Sequence, residues 1–147
     1  FIESLKKNFK NVTFEASRLE DIISGSGISK IYETLTHEKL SAEEIFKKFL
    51  DKEPDALFVI NGFIKSLSQT LSDLALSFLP GKGILLAGSL SRSIYTHFNE
   101  QNFFKPFINN NTGMHFDILK NTPIGVITKE RTPLYGNLSF YKNLNKI

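Results

Sequence analysis

Residues 54–90 read PDALFVINGFIKSLSQTLSDLALSFLPGKGILLAGSL, and this stretch decides the fold class. Leu57, Ile60, Ile64, Leu67, Leu71, Leu74 and Phe78 recur at alternating steps of three and four, which predicts one amphipathic helix from Pro54 to Phe78. Pro80-Gly81-Lys82-Gly83 breaks it, and Ile84-Leu85-Leu86-Ala87 follow as a short strand. That strand has no water-facing side, the mark of a parallel strand covered on both faces, so the helix is expected to lie on a sheet. Gly88-Ser89-Leu90 then forms a turn. A glycine at the carboxyl end of such a strand lets the backbone approach a ligand closely.

Upstream of this stretch the pattern is helical. Phe1, Ile2, Leu5 and Phe9 share a face of a short helix over Phe1 to Asn11, and Asn11 to Phe14 is an extended link. Ser17 and Glu20 have the spacing of a capping box for a turn carrying Leu19, Ile22 and Ile23. Ser24-Gly25-Ser26-Gly27 interrupts that turn, either to bring backbones together or to border a ligand, and Ile28, Ile31 and Leu35 resume helical spacing. Ser41 and Glu44 form a second capping box ahead of Ile45, Phe46, Phe49 and Leu50, and Asp51 is the expected cap of the long helix, with Pro54 in its first turn.

Downstream, Ser91 or Arg92 opens a short helix through Phe98, and Phe103 and Phe107 share another. Asn109 to Gly113 is loop by composition, and His115-Phe116-Asp117 sits on a possible strand as surface residues. Pro123 to Thr128 is a second strand, and Thr132 caps a terminal helix from Pro133 to about Asn143. The order of helix, strand, glycine turn, helix, strand and helix is α/β, with right-handed crossovers and a short parallel sheet. Two strands are too few for so many helices, so the sheet is expected to be incomplete in this chain and finished by strands upstream of Phe1. The absence of an initial methionine fits a piece of a longer protein.

Composition narrows the function classes. At 147 residues and 41% hydrophobic, the chain has the size and apolar content of one folded domain. A net charge of +3 with lysines scattered among carboxylates describes solvated helix faces at Lys6-Lys7-Lys10 and Lys47-Lys48 rather than a nucleic-acid footprint. There is no cysteine, hence no disulfide, thiolate metal site or cysteine nucleophile, in keeping with a reducing compartment. No apolar run reaches the ~20 residues of a spanning helix and no signal peptide is present, so neither membrane nor export is expected. His37, His97 and His115 lack carboxylate partners at ligand spacing, so no metal site is expected. The phenylalanines at 98, 103, 104 and 107 are read as core or subunit interface ahead of a stacking platform.

Three motifs in order carry a resemblance. Glu20-Asp21-Ile22-Ile23-Ser24-Gly25-Ser26-Gly27-Ile28 resembles the Glu-x-x-x-Ser-Gly-x-Gly-Leu segment of the bacterial glucokinases. Gly83-Ile84-Leu85-Leu86-Ala87-Gly88-Ser89-Leu90 is similar to their Gly-Val-hydrophobic-hydrophobic-Ala-Gly-Gly-Ile adenosine motif. Pro123 to Ile127 followed by Thr132-Pro133-Leu134-Tyr135-Gly136 resembles their closing strand and Pro-Gly-Leu-Leu-Gly helix start. The match is collinear over almost the whole chain.

The resemblance implies the two-domain, ribonuclease-H-like fold shared by sugar kinases, actin and Hsp70, with this chain as a single fragment of the larger C-terminal domain. Residues 1–50 would border the sugar cleft, and residues 51–147 would form the α-β-α-β-α unit with the adenosine turn. It implies an ATP-dependent glucokinase acting on the 6-hydroxyl of glucose or a related hexose, with Mg2+ held through the nucleotide phosphates, in the cytoplasm and as a homodimer. Glu20 would bind sugar hydroxyls, since a carboxylate accepts two directional hydrogen bonds; its other reading is the capping-box glutamate. Gly88 and Ser89 would seat adenosine, although serine stands where the family has a second glycine; their other reading is a plain strand-to-helix turn. Gly136 would pack the terminal helix closely and edge the adenine pocket. The family's Asp-x-Gly-Gly-Thr phosphate loop, its Asn-Asp pair with the general base, its second Gly-rich phosphate loop and its Glu-Gly-Gly-His sugar segment do not occur in residues 1–147. No catalytic residue is therefore expected here, the chain's own N-terminal domain is an implied partner, and this chain alone should be inactive. A non-catalytic dimerisation or regulatory module is the alternative. The geometric requirement of the kinase reading is that Glu20 and the Ala87-Gly88 turn look into one crevice.

Overall fold

The computed structural model of the chain describes residues 1–10, 12–108 and 112–144. It is built around a single helix. Five short segments precede that helix: helix α1 (Ile2–Lys6), 3-10 turns at Lys7–Phe9 and Leu19–Asp21, and helices α2 (Gly25–Thr36) and α3 (Ala42–Leu50). The central helix α4 spans Pro54–Phe78, as its periodicity predicts. Strand β1 (Ile84–Leu86), α5 (Ser89–Ile94) and a 3-10 turn at Tyr95–His97 follow. A π-helical turn at Glu100–Phe104 then runs into α6 (Lys105–Ile108). Helix α7 (Gly113–Lys120), strand β2 (Ile124–Val126) and α8 (Thr132–Leu144) complete the described elements.

The packing of α4 departs from the expectation. Its main partners are helices and helical turns, α2, α3, the Lys7–Phe9 turn, the π turn, α6 and α7, while Ile84, Leu86 and Ile124 of the strands pack against the same core. Ile60, Ile64 and Leu71 are buried as predicted, but so are Val59, Phe63 and Ala75, while Phe78 is 76% exposed. A helix covered on several sides needs no single apolar stripe. Ser66, Ser68, Thr70 and Ser72 are also buried. Ser66 and Thr70 hide their polarity by donating to the carbonyls of Gly62 (2.9 Å) and Ser66 (2.8 Å), and Ser68 donates to the Phe103 carbonyl.

The two strands pair in parallel, Ile84 with Ile124 and Leu86 with Val126, as the α/β reading predicts. They are shorter than expected and not covered on both faces, for Leu85 is 71% exposed. Helix α8 exposes Leu134, Tyr135, Leu138, Phe140 and Leu144, and among the described residues nothing lies within 4 Å of a Cβ placed at Gly136. The described residues therefore do not supply the close packing expected at Gly136. His115, Phe116 and Asp117 lie in α7, not on a strand.

Most local signals are met, some by different residues. Ser41 and Glu44 form the expected reciprocal cap, in which the Ser41 backbone N–H donates to the Glu44 carboxylate at 2.8 Å and the Glu44 N–H donates to Ser41 Oγ at 3.3 Å. Asp51 does not cap α4; Glu53 occupies that position without a capping bond from its side chain. Helix α5 begins at Ser89, earlier than expected. The first helix breaks into α1 and the 3-10 turn, and its expected end at Asn11, like most of the loop from Asn109, lies outside the described residues.

A half-buried network ties α2, α3 and the start of α4. Tyr32, wholly buried, donates to Glu53 Oε1 at 2.8 Å, and Lys48 donates to Tyr32 Oη at 3.1 Å and to Glu38 Oε2 at 2.7 Å. Hydrogen bonds to Glu38 and then Tyr32 hold the Lys48 ammonium well above the usual lysine range. Tyr32→Phe leaves the ring in place and removes one hydrogen bond each from Glu53 and Lys48, which keep each other and Glu38, so urea unfolding should show a loss of about 1 kcal/mol.

Candidate functional site

The sequence reading places its ligand contacts at the end of β1 and at the Glu20 turn. After β1, Gly88 has φ +118°, a conformation that side chains resist, and the chain passes directly into α5. Its first turn is held by the Arg92 N–H donating to the Gly88 carbonyl at 3.2 Å and Ser93 Oγ donating to the Ser89 carbonyl at 3.2 Å. The turn at Tyr95–His97 then sets the His97 ring against α3, edge-on to Phe46 (5.6 Å) and Phe49 (5.0 Å), while Phe46 stacks on Phe49 at 5.5 Å. These rings fix α5 beside α3.

The result is a groove of about 460 Å3, within the ~300–1,000 Å3 range of small-molecule sites. One wall is Ser89, Leu90 and Ser93; the other is Ala42, Glu43, Phe46 and Lys47, and Gly25 from the start of α2 closes one end. The lining combines apolar Phe46 and Leu90 with polar Glu43, Lys47, Ser89 and Ser93, a mixture suited to a flat heterocycle carrying polar substituents. Glu43 and Lys47 have no ion-pair partner among the described residues. Sequence reasoning missed both, together with Phe46. Their one available signal was the spacing of four between Glu43 and Lys47, which reads as an ordinary solvated face.

Ser89 and the Ser24–Gly27 segment thus meet at one groove, through Gly25. Glu20 does not line it. It borders a shallow hollow with Arg18, Leu19 and Ile23, its side chain 67% exposed and 3.2 Å from Arg18. The requirement that Glu20 and the Gly88 turn face one crevice is not met within these residues, although Glu20 adjoins the Ser24–Gly27 segment whose Gly25 lines the groove: Ser24 Oγ donates to the Glu20 carbonyl and caps α2 by accepting from the Gly27 N–H at 3.0 Å. Ser24 to Gly27 therefore starts a helix rather than interrupting one.

The capping box expected of Ser17 and Glu20 is formed by Asp21. Its carboxylate accepts from the N–H groups of Arg18 and Ser17, each at 2.9 Å. These bonds, Arg18 first, hold the Asp21 carboxyl below its ordinary range. The bonds stand at neutral pH and are lost only in strongly acid solution, as the pH falls through that lowered value. Glu20 is thereby released from a structural duty. Gly136 lies on α8, where a Cβ would meet nothing within 4 Å among the described residues, and borders no pocket described above. Among the described residues no group of three or more His, Asp or Glu is placed to hold a metal ion, and no helix is long and apolar enough to cross a membrane.

The sequence model of the Glucokinase family matches residues 1–144. A glucokinase of Mesorhizobium japonicum is 27% identical over 131 residues, covering 84% of this chain and 38% of the relative. The chain thus spans well under half the length of the relative it matches. With almost every residue inside the family match, the chain belongs to the glucokinase family.

Proposed function

We propose that this member of the glucokinase family is the C-terminal part of an ATP-dependent hexokinase-type enzyme that phosphorylates the 6-hydroxyl of glucose in the complete protein. The observation that carries the reading is the groove itself, in which Ser89 of the adenosine-motif turn and Gly25 of the Ser-Gly-x-Gly segment meet. Adenosine would lie against Phe46 and Leu90, with Glu43, Lys47 and Ser93 at its polar edge. ATP supplies the transferable phosphoryl group, and Mg2+ would arrive on its phosphates. Gly88 takes a backbone conformation that side chains resist and so lets the turn come close to the ligand, and Ser89 adds a hydroxyl where the family has glycine. Glu20, exposed and paired with Arg18 through one carboxylate oxygen, would accept from vicinal sugar hydroxyls. General base and phosphate loops would come from an N-terminal domain that also covers β1 and α8, in a cytoplasmic homodimer.

A coupled assay for glucose 6-phosphate on the protein carrying its upstream segment tests this. ATP-dependent activity is expected. Glu20→Gln should raise the KM for glucose about tenfold or more, the worth of a charge-assisted hydrogen bond, without changing thermal unfolding, because Asp21 holds the turn. Upstream coding sequence lacking both Asp-x-Gly-Gly-Thr and Glu-Gly-Gly-His, together with no activity, would leave the alternative of a non-catalytic dimerisation or regulatory module, which the serine at position 89 favours.

A further inference from the structure

On another face of α4, Lys7, Asn8, Lys10, Leu57, Phe58 and Lys65 help line a hollow of about 350 Å3. Its charged lining is all lysine. Some lysines find partners among the described residues, Lys6 with Glu3, Lys48 with Glu38 and Glu53, and Lys30 with the Glu15 carbonyl, and others such as Lys47 do not; what sets this hollow apart is that three lysines line it with no carboxylate. Lys7, Lys10 and Lys65 have no ion-pair partner among the described residues.

The walls are held in fixed relation. Asn8 Nδ2 donates to Ser66 Oγ at 3.0 Å and Gln69 Oε1 at 2.8 Å, which ties the Lys7–Phe9 turn to α4. The Phe9 ring packs so closely over Gly62 that a Cβ there would lie 2.6 Å from it. Asn8 commits both amide hydrogens as above, and Asn61 Nδ2 spends one on the Leu57 carbonyl at 2.8 Å. The ammonium groups are the charged donors that face a ligand here. Like charges gathered around one hollow repel one another, and a multivalent anion relieves that repulsion.

We infer that this hollow binds a small phosphate monoester, its phosphate among Lys7, Lys10 and Lys65 and its organic body against Leu57 and Phe58. This site is separate from the Ser89 groove and does not depend on the kinase reading. The test is lysine acylation of the intact protein, read peptide by peptide by mass spectrometry, with inorganic phosphate, glucose 6-phosphate or sodium chloride at matched ionic strength. At saturation both phosphates should slow acylation of Lys7, Lys10 and Lys65 together by about tenfold, and glucose 6-phosphate should do so at the lower concentration. The exposed Lys39 and Lys82 are controls, and Lys47 reports the nucleotide groove separately. Protection no greater than with chloride, equal protection of Lys39 and Lys82, or lysines already unreactive in the ligand-free protein would overturn the inference. A Lys7→Gln, Lys10→Gln, Lys65→Gln protein that still bound glucose 6-phosphate at the wild-type level, with Lys47 blocked by ATP, would overturn it too.

Discussion

Gly27→Val should destabilise the protein by about 3 kcal/mol, at the upper end of ordinary overpacking. A Cβ at Gly27 would lie 2.8 Å from the Asp21 carbonyl oxygen, 2.9 Å from its carbon and 3.0 Å from the Ile22 carbonyl oxygen. All three are backbone atoms, which cannot swing aside as a flexible side chain can. Either α2 or the Leu19–Asp21 turn must move, and that turn carries Glu20. Helix propensity works the other way, favouring valine over glycine by under about 1 kcal/mol, so the steric term decides the sign. Gly25→Ala is the matched control. Its Cβ would meet only the Ala42 Cβ at 3.6 Å, an ordinary contact, so chemical unfolding should show no loss. If both variants lose stability alike, the close approach of α2 to the turn is not what Gly27 provides.

The larger functional effect is expected from Ser89→Trp. Ser89 is exposed at the start of α5, and its side chain makes no hydrogen bond among the described residues, since the bond from Ser93 goes to its carbonyl. Replacing it should therefore change stability by no more than about 0.5 kcal/mol. An indole there fills the groove against Phe46 and Leu90, so ATP affinity should fall about a hundredfold or more, some 2.7 kcal/mol. Ser89→Gly, which restores the residue of the family motif, should bind ATP at least as well as the natural protein. Isothermal titration of the three proteins separates the outcomes. Equal affinities in all three would remove the groove from the nucleotide's path.

How far the sequence carried the fold follows from which interactions are local. The Ser41–Glu44 cap, the span of α4 and the parallel pairing of the two strands were legible because capping, helical period and strand composition act over a few residues. What covers α4 was not, since a helix enclosed by other helices on several sides tolerates Ser66, Ser68, Thr70 and Ser72 once their hydroxyls are satisfied, three of them by the bonds described above. The shift of the cap from Glu20 to Asp21 is a one-residue matter, settled by which carboxylate reaches back to the N–H groups of Ser17 and Arg18. At the groove, Gly88 and Ser89 were legible from the motif they resemble. Glu43, Phe46 and Lys47 were not, because α3 is brought to α5 by the packing of His97 on two phenylalanine rings, a contact between residues about fifty apart in the chain. Exposed apolar side chains on β1 and α8 have no signature of their own, for the same residues would read as core wherever a partner covers them.

The most direct test of the nucleotide groove is photolabelling of the intact protein with azido-ATP, followed by mapping of the modified peptides. Label on residues 42–47 and 88–93 that is suppressed by excess ATP is the expected result. ATP-suppressible label confined to α7, α8 or the hollow beside Lys65, with none on either groove wall, would contradict it.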